Sequence, residues 1–217
     1  MSFRGWKPEA LDFFEGLEAD NSKPYWLAHK DTYEREVKAP MEALLAELAP
    51  EYGEYRLFRP YRDVRFSRDK SPYRTNIAAT IGHGYVHLSA DGLRAGAGMY
   101  HLAPDQLERY RLAVDKDASG GELRNIVDLL RGSGVEVYGS DALKLAPKGY
   151  AKDHPRVELL RYRGIVAMRA WPVEAWLGTS KAKQRVADLL RETSPLVGWL
   201  ERHVGESTLP VDERGRR

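Results

Sequence analysis

The run Arg59-Pro60-Tyr61-Arg62-Asp63-Val64-Arg65-Phe66-Ser67-Arg68-Asp69-Lys70-Ser71-Pro72-Tyr73 concentrates side chains that bind anions. Between Arg56 and Thr75 six arginines and Lys70 face only Asp63 and Asp69. Seven cations against two acids leave +5 in twenty residues, whereas the whole chain carries +2. A guanidinium presents a planar fork of donors to carboxylate or phosphate, and several converging forks make an anion site. On an extended segment alternate residues share a face, so Arg62, Val64 and Phe66 point one way and Asp63 and Arg65 the other. The ligand-binding set expected from this segment is Arg62, Arg65, Lys70, Tyr73 and Arg74. The same residues would serve equally as a scaffold, with Asp63 orienting Arg65 and the other arginines clamping the sheet to acids on the helices.

A second group is Pro147-Lys148-Gly149-Tyr150 followed by Asp153-His154-Pro155. A lysine on a tight turn beside Tyr150, Asp153 and His154 can give or take a proton near neutral pH. Lys148 and His154 are therefore the candidate catalytic residues, and Tyr150 is added to the ligand contacts. A structured loop whose polar groups satisfy one another would have the same composition. His83 and His87 stand four apart, but Gly82 and Gly84 put a turn between them, and no acid completes a ligand set. No metal and no cofactor are expected. His29 reads as a packed helix residue. There is no GxSxG elbow, Walker loop or GxGxxG motif. The five tryptophans are scattered and read as core or rim residues.

Composition bounds the rest. At 217 residues and 42% hydrophobic content the chain can bury a sizeable core, and 30% charge suits a solvated surface. The absence of cysteine excludes disulfides, thiolate nucleophiles and Cys-ligated metal centres. No apolar run is long enough to span a bilayer and no export signal is evident, so a cytoplasmic location with no membrane contact is expected. Near-balanced charge gives no global field to draw in nucleic acid.

These side chains must be positioned by an alternation of helices and strands. Pro8 opens a helix through Leu11, Phe14 and Leu17, and Asp20-Asn21-Ser22 ends it and caps the next, which carries Trp26, His29 and Tyr33. Pro40 is expected to end or kink that helix, and Met41, Leu44, Leu45 and Leu48 form a third. Strands are expected over 55–58, 62–66, 77–81, 85–89 and 93–100, with Asp91-Gly92 as a hairpin turn. Gly96 and Gly98 would admit a close backbone neighbour. Helices follow from Pro104 and from a Ser119 cap, then short strands over 135–138 and 143–145 and another over 165–171. Two last helices are capped by Thr179 or Ser180 and by Ser194. Helices, adjacent antiparallel strands, then helices again make an α+β fold, a mainly antiparallel sheet packed against N-terminal, middle and C-terminal helices. A single domain over 1–204 with a fraying tail over 205–217 is expected.

The run Asp20-Asn21, Tyr25-Trp26-Leu27-Ala28-His29-Lys30, Tyr33-Glu34, Val37 and Pro40 resembles the opening block of a family of bacterial and fungal proteins catalogued as domain of unknown function 2461. Arg62 to Thr75 is similar to its central motif. Pro147 to Tyr150 with Asp153-His154-Pro155 is similar to its third block. The first block departs mildly from the family's pattern, which carries two asparagines and an aromatic pair ending in Phe. The resemblance spans roughly Pro8 to Arg202 and implies one whole-length domain, with no activity and no catalytic residues to carry over.

Three functions follow from the residues. The first is binding or turnover of a small phosphate- or carboxylate-bearing ligand by the arginine segment. The second is a nucleic-acid-binding module using the same arginines on phosphates. The third is a structural or partner-binding protein without chemistry. Oligomeric state is left open.

Overall fold

The computed structural model describes residues 2–65 and 68–210. Helices α1 (Pro8–Ala19) and α2 (Lys23–Thr32) open the chain. Ser22 caps α2 by accepting the Tyr25 amide at 3.2 Å, with Pro24 in its first turn. α2 then widens into a π-helical turn, Tyr33–Lys38, before α3 (Ala39–Tyr52). The cause is Pro40, which has no N–H to return to the preceding turn. The Ala39 amide instead reaches back five residues, to the Glu34 carbonyl.

Strands β1 (Tyr55–Leu57), β2 (Asn76–Ile81), β3 (Gly84–Ser89) and β4 (Gly92–Met99) follow. Then come α4 (Pro104–Asp115), α5 (Asp117–Gly132), β5 (Glu136–Tyr138), α6 (Val157–Leu160), β6 (Ile165–Trp171), α7 (Lys181–Glu192) and α8 (Ser194–His203). The six strands form one antiparallel sheet in the order β1-β2-β3-β4-β6-β5. The fold is α+β, as the sequence pattern indicates. In β2 and β3 the registers Ala79↔Val86 and Ile77↔Leu88 put four buried side chains on the core face. Gly98 has φ +139°, and a Cβ there would lie 2.3 Å from the Ile165 carbonyl oxygen, so β4 and β6 meet only because this position lacks a side chain.

The chain divides into two compact units. One comprises Met1–Ala95 and Ala170–Leu189, the other Gly96–Arg169 and Leu190–Arg217. The first has a core of Trp6 from the N-terminal segment and Phe14, Leu17, Met41, Leu44 and Leu45 from its helices, with Ile77, Ile81, Leu88 and Leu93 from its strands. In the second, Tyr110, Leu123, Val127, Leu159 and Trp199 are buried, and the Trp199 indole donates to the Ser119 carbonyl at 2.9 Å.

Several local expectations change. Arg62 to Arg65 is not a strand, and Phe66 lies outside the described residues. Among the described residues an isolated bridge, Tyr61↔Tyr73, is the only strand-type pairing between this loop's two legs. Pro60 and Pro72 flank that bridge and have no N–H to extend a ladder. Residues 143–145 form no strand. Ser119 sits inside α5, whose first residue is Asp117, and its hydroxyl donates to the Ala113 carbonyl at 2.6 Å. Thr193, rather than Ser194, flanks the start of α8. The expected tail is tied back as far as Thr208, where its amide and the Ser207 hydroxyl donate to Asp105; residues 211–217 lie outside the described set. Among the described residues no helix is long and apolar enough to cross a membrane.

Candidate functional site

The arginine segment leaves the sheet after β1, where the Phe58 amide still bonds the Ala78 carbonyl at 2.9 Å, and returns to it at β2. Its legs are pinned by Arg62 N–H to Pro72 O (2.9 Å) and Arg74 N–H to Pro60 O (2.8 Å). Asn21 closes the base. Its side-chain amide donates to the Tyr73 carbonyl at 3.1 Å and accepts the Tyr73 amide at 3.0 Å, as a neighbouring strand would. Trp26 lies flat on the Tyr73 ring, 4.5 Å away and 7° from parallel, and Tyr33 and Tyr61 pack at 4.9 and 5.9 Å from the same indole.

Arg62, Arg65 and Lys70 each bond a partner within the loop. Arg62 is paired with Asp69. Arg65 forks onto Asp63, at 3.0 Å from Nε and 2.7 Å from Nη2. Lys70 donates to the Val64 carbonyl at 3.0 Å. The Arg65 fork, aided by Arg59, holds the Asp63 carboxyl down at about 2. Asp69 lies below the usual carboxylate range because Ser71 and then Arg62 bond it. Tyr73 is buried under Trp26, and Arg74 is exposed. Arg65 is 77% exposed and Asp63 46%, so the pair is held in water. Arg65→Ala is accordingly expected to shift the melting midpoint by no more than about 2 °C. A scanning-fluorimetry drop several times larger would make Arg65 a structural clamp.

At the foot of the loop lies a cleft of about 450 Å³ lined by Trp26, Lys30, Tyr33, Glu34, Lys38, Glu42, Leu57, Phe58, Arg59, Pro60 and Tyr61. The helical stripe Trp26, Lys30, Tyr33 and Glu34 supplies one wall and residues 57–61 the other. Lys38 donates to Glu34 at 2.8 Å. Arg59 and Lys30 have no carboxylate within ion-pair reach among the described residues.

Residues 9–199 match the family model described as conserved hypothetical protein (DUF2461). The chain belongs to the DUF2461 family. No curated protein and no solved structure matches it. The match takes in the cleft, the arginine loop and the second loop of the sequence reading.

That second loop of this DUF2461 chain lies in the other unit. Lys148 is exposed on its turn. Burial, with Asp115 next, pushes the Tyr150 phenol up. His154 Nδ1 accepts the Arg156 amide at 3.0 Å, so its ring proton sits on Nε2 and faces Asp115 at 3.3 Å. Both ring nitrogens are thus occupied. His29 Nδ1 donates to the Tyr25 carbonyl at 2.9 Å, and its ring stacks on Tyr25. Tyr85 bonds His87 Nδ1 at 3.1 Å; burial, with Arg94 next, holds His87 down at about 4. Among the described residues no group of three His, Asp or Glu could hold a metal ion.

Lys30, Arg59 and Tyr61 are absent from the sequence-derived set. Their signal was the i, i+4, i+7 spacing of Trp26, Lys30 and Tyr33, which marks a single helix face. That Arg62 and Arg65 would take the loop's two acids and Arg59 would not was not readable, because pairing inside a loop depends on its turns.

Proposed function

We propose that the chain binds a small phosphate- or carboxylate-bearing molecule in the cleft at the foot of the arginine loop, with Arg59 and Lys30 as its anion contacts. One observation carries this reading: a concave, aromatic-walled cleft lined by a guanidinium and an ammonium with no carboxylate within ion-pair reach among the described residues. Arg62 and Arg65 were the first choice from the sequence. Their pairing with Asp69 and Asp63 supports a second, structural reading for that part of the loop, in which the ion pairs shape the loop that carries Arg59.

Calorimetry with inorganic phosphate, glycerol phosphate, benzoate and phenyl phosphate tests the proposal. At least one is expected to bind in the millimolar range or tighter, and Arg59→Gln is expected to weaken it about 10- to 100-fold. A probe at ten times its Kd should raise stability by about 1.4 kcal/mol. No binding by any probe, or an affinity indifferent to Arg59→Gln, overturns it.

A further inference from the structure

The cleft leaves groups of both signs unmatched. The Tyr33 ring is only 3% exposed, yet its hydroxyl has no hydrogen-bond partner among the described residues. Every side-chain nitrogen or oxygen sealed from solvent there does have one, so this hydroxyl opens into the cleft that Tyr33 lines. Glu34 and Glu42 line the same cleft, and burial first, then their charges, push the phenol up. Glu34 is engaged by Lys38. Glu42 meets no cation within ion-pair reach among the described residues. The Tyr61 ring, 49% exposed, stands in the same lining.

A carboxylate, a tyrosine oxygen and an open aromatic face together suit an ammonium group. Arg59 and Lys30, in the same cleft, suit an anion. A simple anion would satisfy the two cations but set a second negative charge beside the exposed Glu42 carboxylate, a like-charge contact that weakens binding. We infer that the ligand is a zwitterion, a small molecule bearing a primary ammonium together with its carboxylate or phosphate. Its ammonium meets Glu42 and Tyr33, and its anion meets Arg59 and Lys30. This rests on the anion-binding reading above and adds the second charge to it.

Matched probes separate the two claims. Phenylalanine, 3-phenyllactate and 3-phenylpropionate share a carboxylate and a ring, and differ in carrying an ammonium, a hydroxyl or neither. O-Phosphoethanolamine, 2-hydroxyethyl phosphate and ethyl phosphate form the corresponding phosphate series. In at least one series the ammonium member is expected to bind about tenfold tighter than the other two by calorimetry. Glu42→Gln should abolish that preference while 3-phenylpropionate and ethyl phosphate bind at least as tightly as to the parent, whereas Arg59→Gln should weaken all three members. The zwitterion assignment falls, and the anion site stands, if the hydroxyl or unsubstituted member binds as tightly, or if the preference survives Glu42→Gln. If no member of either series binds, both readings fall.

Discussion

Replacing Trp26 by alanine is expected to cost about 3–5 kcal/mol of folding free energy. The indole is 3% exposed and forms the centre of a five-ring cluster, stacked on Tyr73 and packed against Phe13, Tyr33 and Tyr61. Its removal opens a cavity that Tyr73 and Phe13 cannot fill, because both are fixed elsewhere. Tyr73 is held through its backbone by Asn21, and Phe13 lies within α1. Loss of dispersion contacts adds to the lost transfer term. The same indole is the plate on which the base of the arginine loop rests, so the alanine variant should also loosen residues 59–74. Trp26→Phe keeps a ring and should cost roughly half as much. Urea unfolding measures both. An alanine variant within about 1 kcal/mol of the parent would show that the cluster relaxes freely.

How much of this was legible depends on whether an element is specified by its own residues. The α2 start was readable because Ser22 and Pro24 act locally, and the β2–β3–β4 hairpins because alternation and glycine turns fix register within a few residues. Gly96 and Gly98 announced a close neighbour, and β6 supplies it. Failures came where a partner elsewhere decides. Arg62-Asp63-Val64-Arg65 alternates as a strand does, yet among the described residues no second strand pairs with it, and prolines at 60 and 72 stop the ladder at one bridge. Two of the expected anion contacts are engaged within the loop, because Asp63 and Asp69 are close enough along it to capture Arg65 and Arg62. The cleft uses what was left over. Pro40 was readable as a disruption, but its outcome, a π-helical turn that carries Tyr33, Glu34 and Lys38 on the cleft wall, follows from which carbonyl the Ala39 amide finds.

The same distinction between local and distant partners makes a different arginine the critical one. Arg156, which no motif singled out, is only 9% exposed. Its Nε donates to the Val114 carbonyl at 2.7 Å, and its Nη2 to the Asp115 carbonyl at 2.7 Å and to Asp117 at 2.9 Å. Val114 and Asp115 end α4, where carbonyls have no helical partner, and Asp117 begins α5. One guanidinium therefore satisfies the end of one helix, neutralises its dipole and ties it to the start of the next. The fit is close, since a Cβ at Gly120 would come within 2.5 Å of Arg156 Nε. Arg156→Ala should cost about 3 kcal/mol, because buried carbonyls lose a charged donor that water cannot fully replace. Arg156→Lys keeps the charge without the fork and should recover only part of this loss. Asp117 is 98% exposed, so Asp117→Ala should leave the melting midpoint nearly unchanged. If Asp117→Ala destabilised as much as Arg156→Ala in urea unfolding, the exposed ion pair and not the carbonyl contacts would be what holds α4 to α5. An Arg156→Ala variant as stable as the parent would remove the assignment altogether.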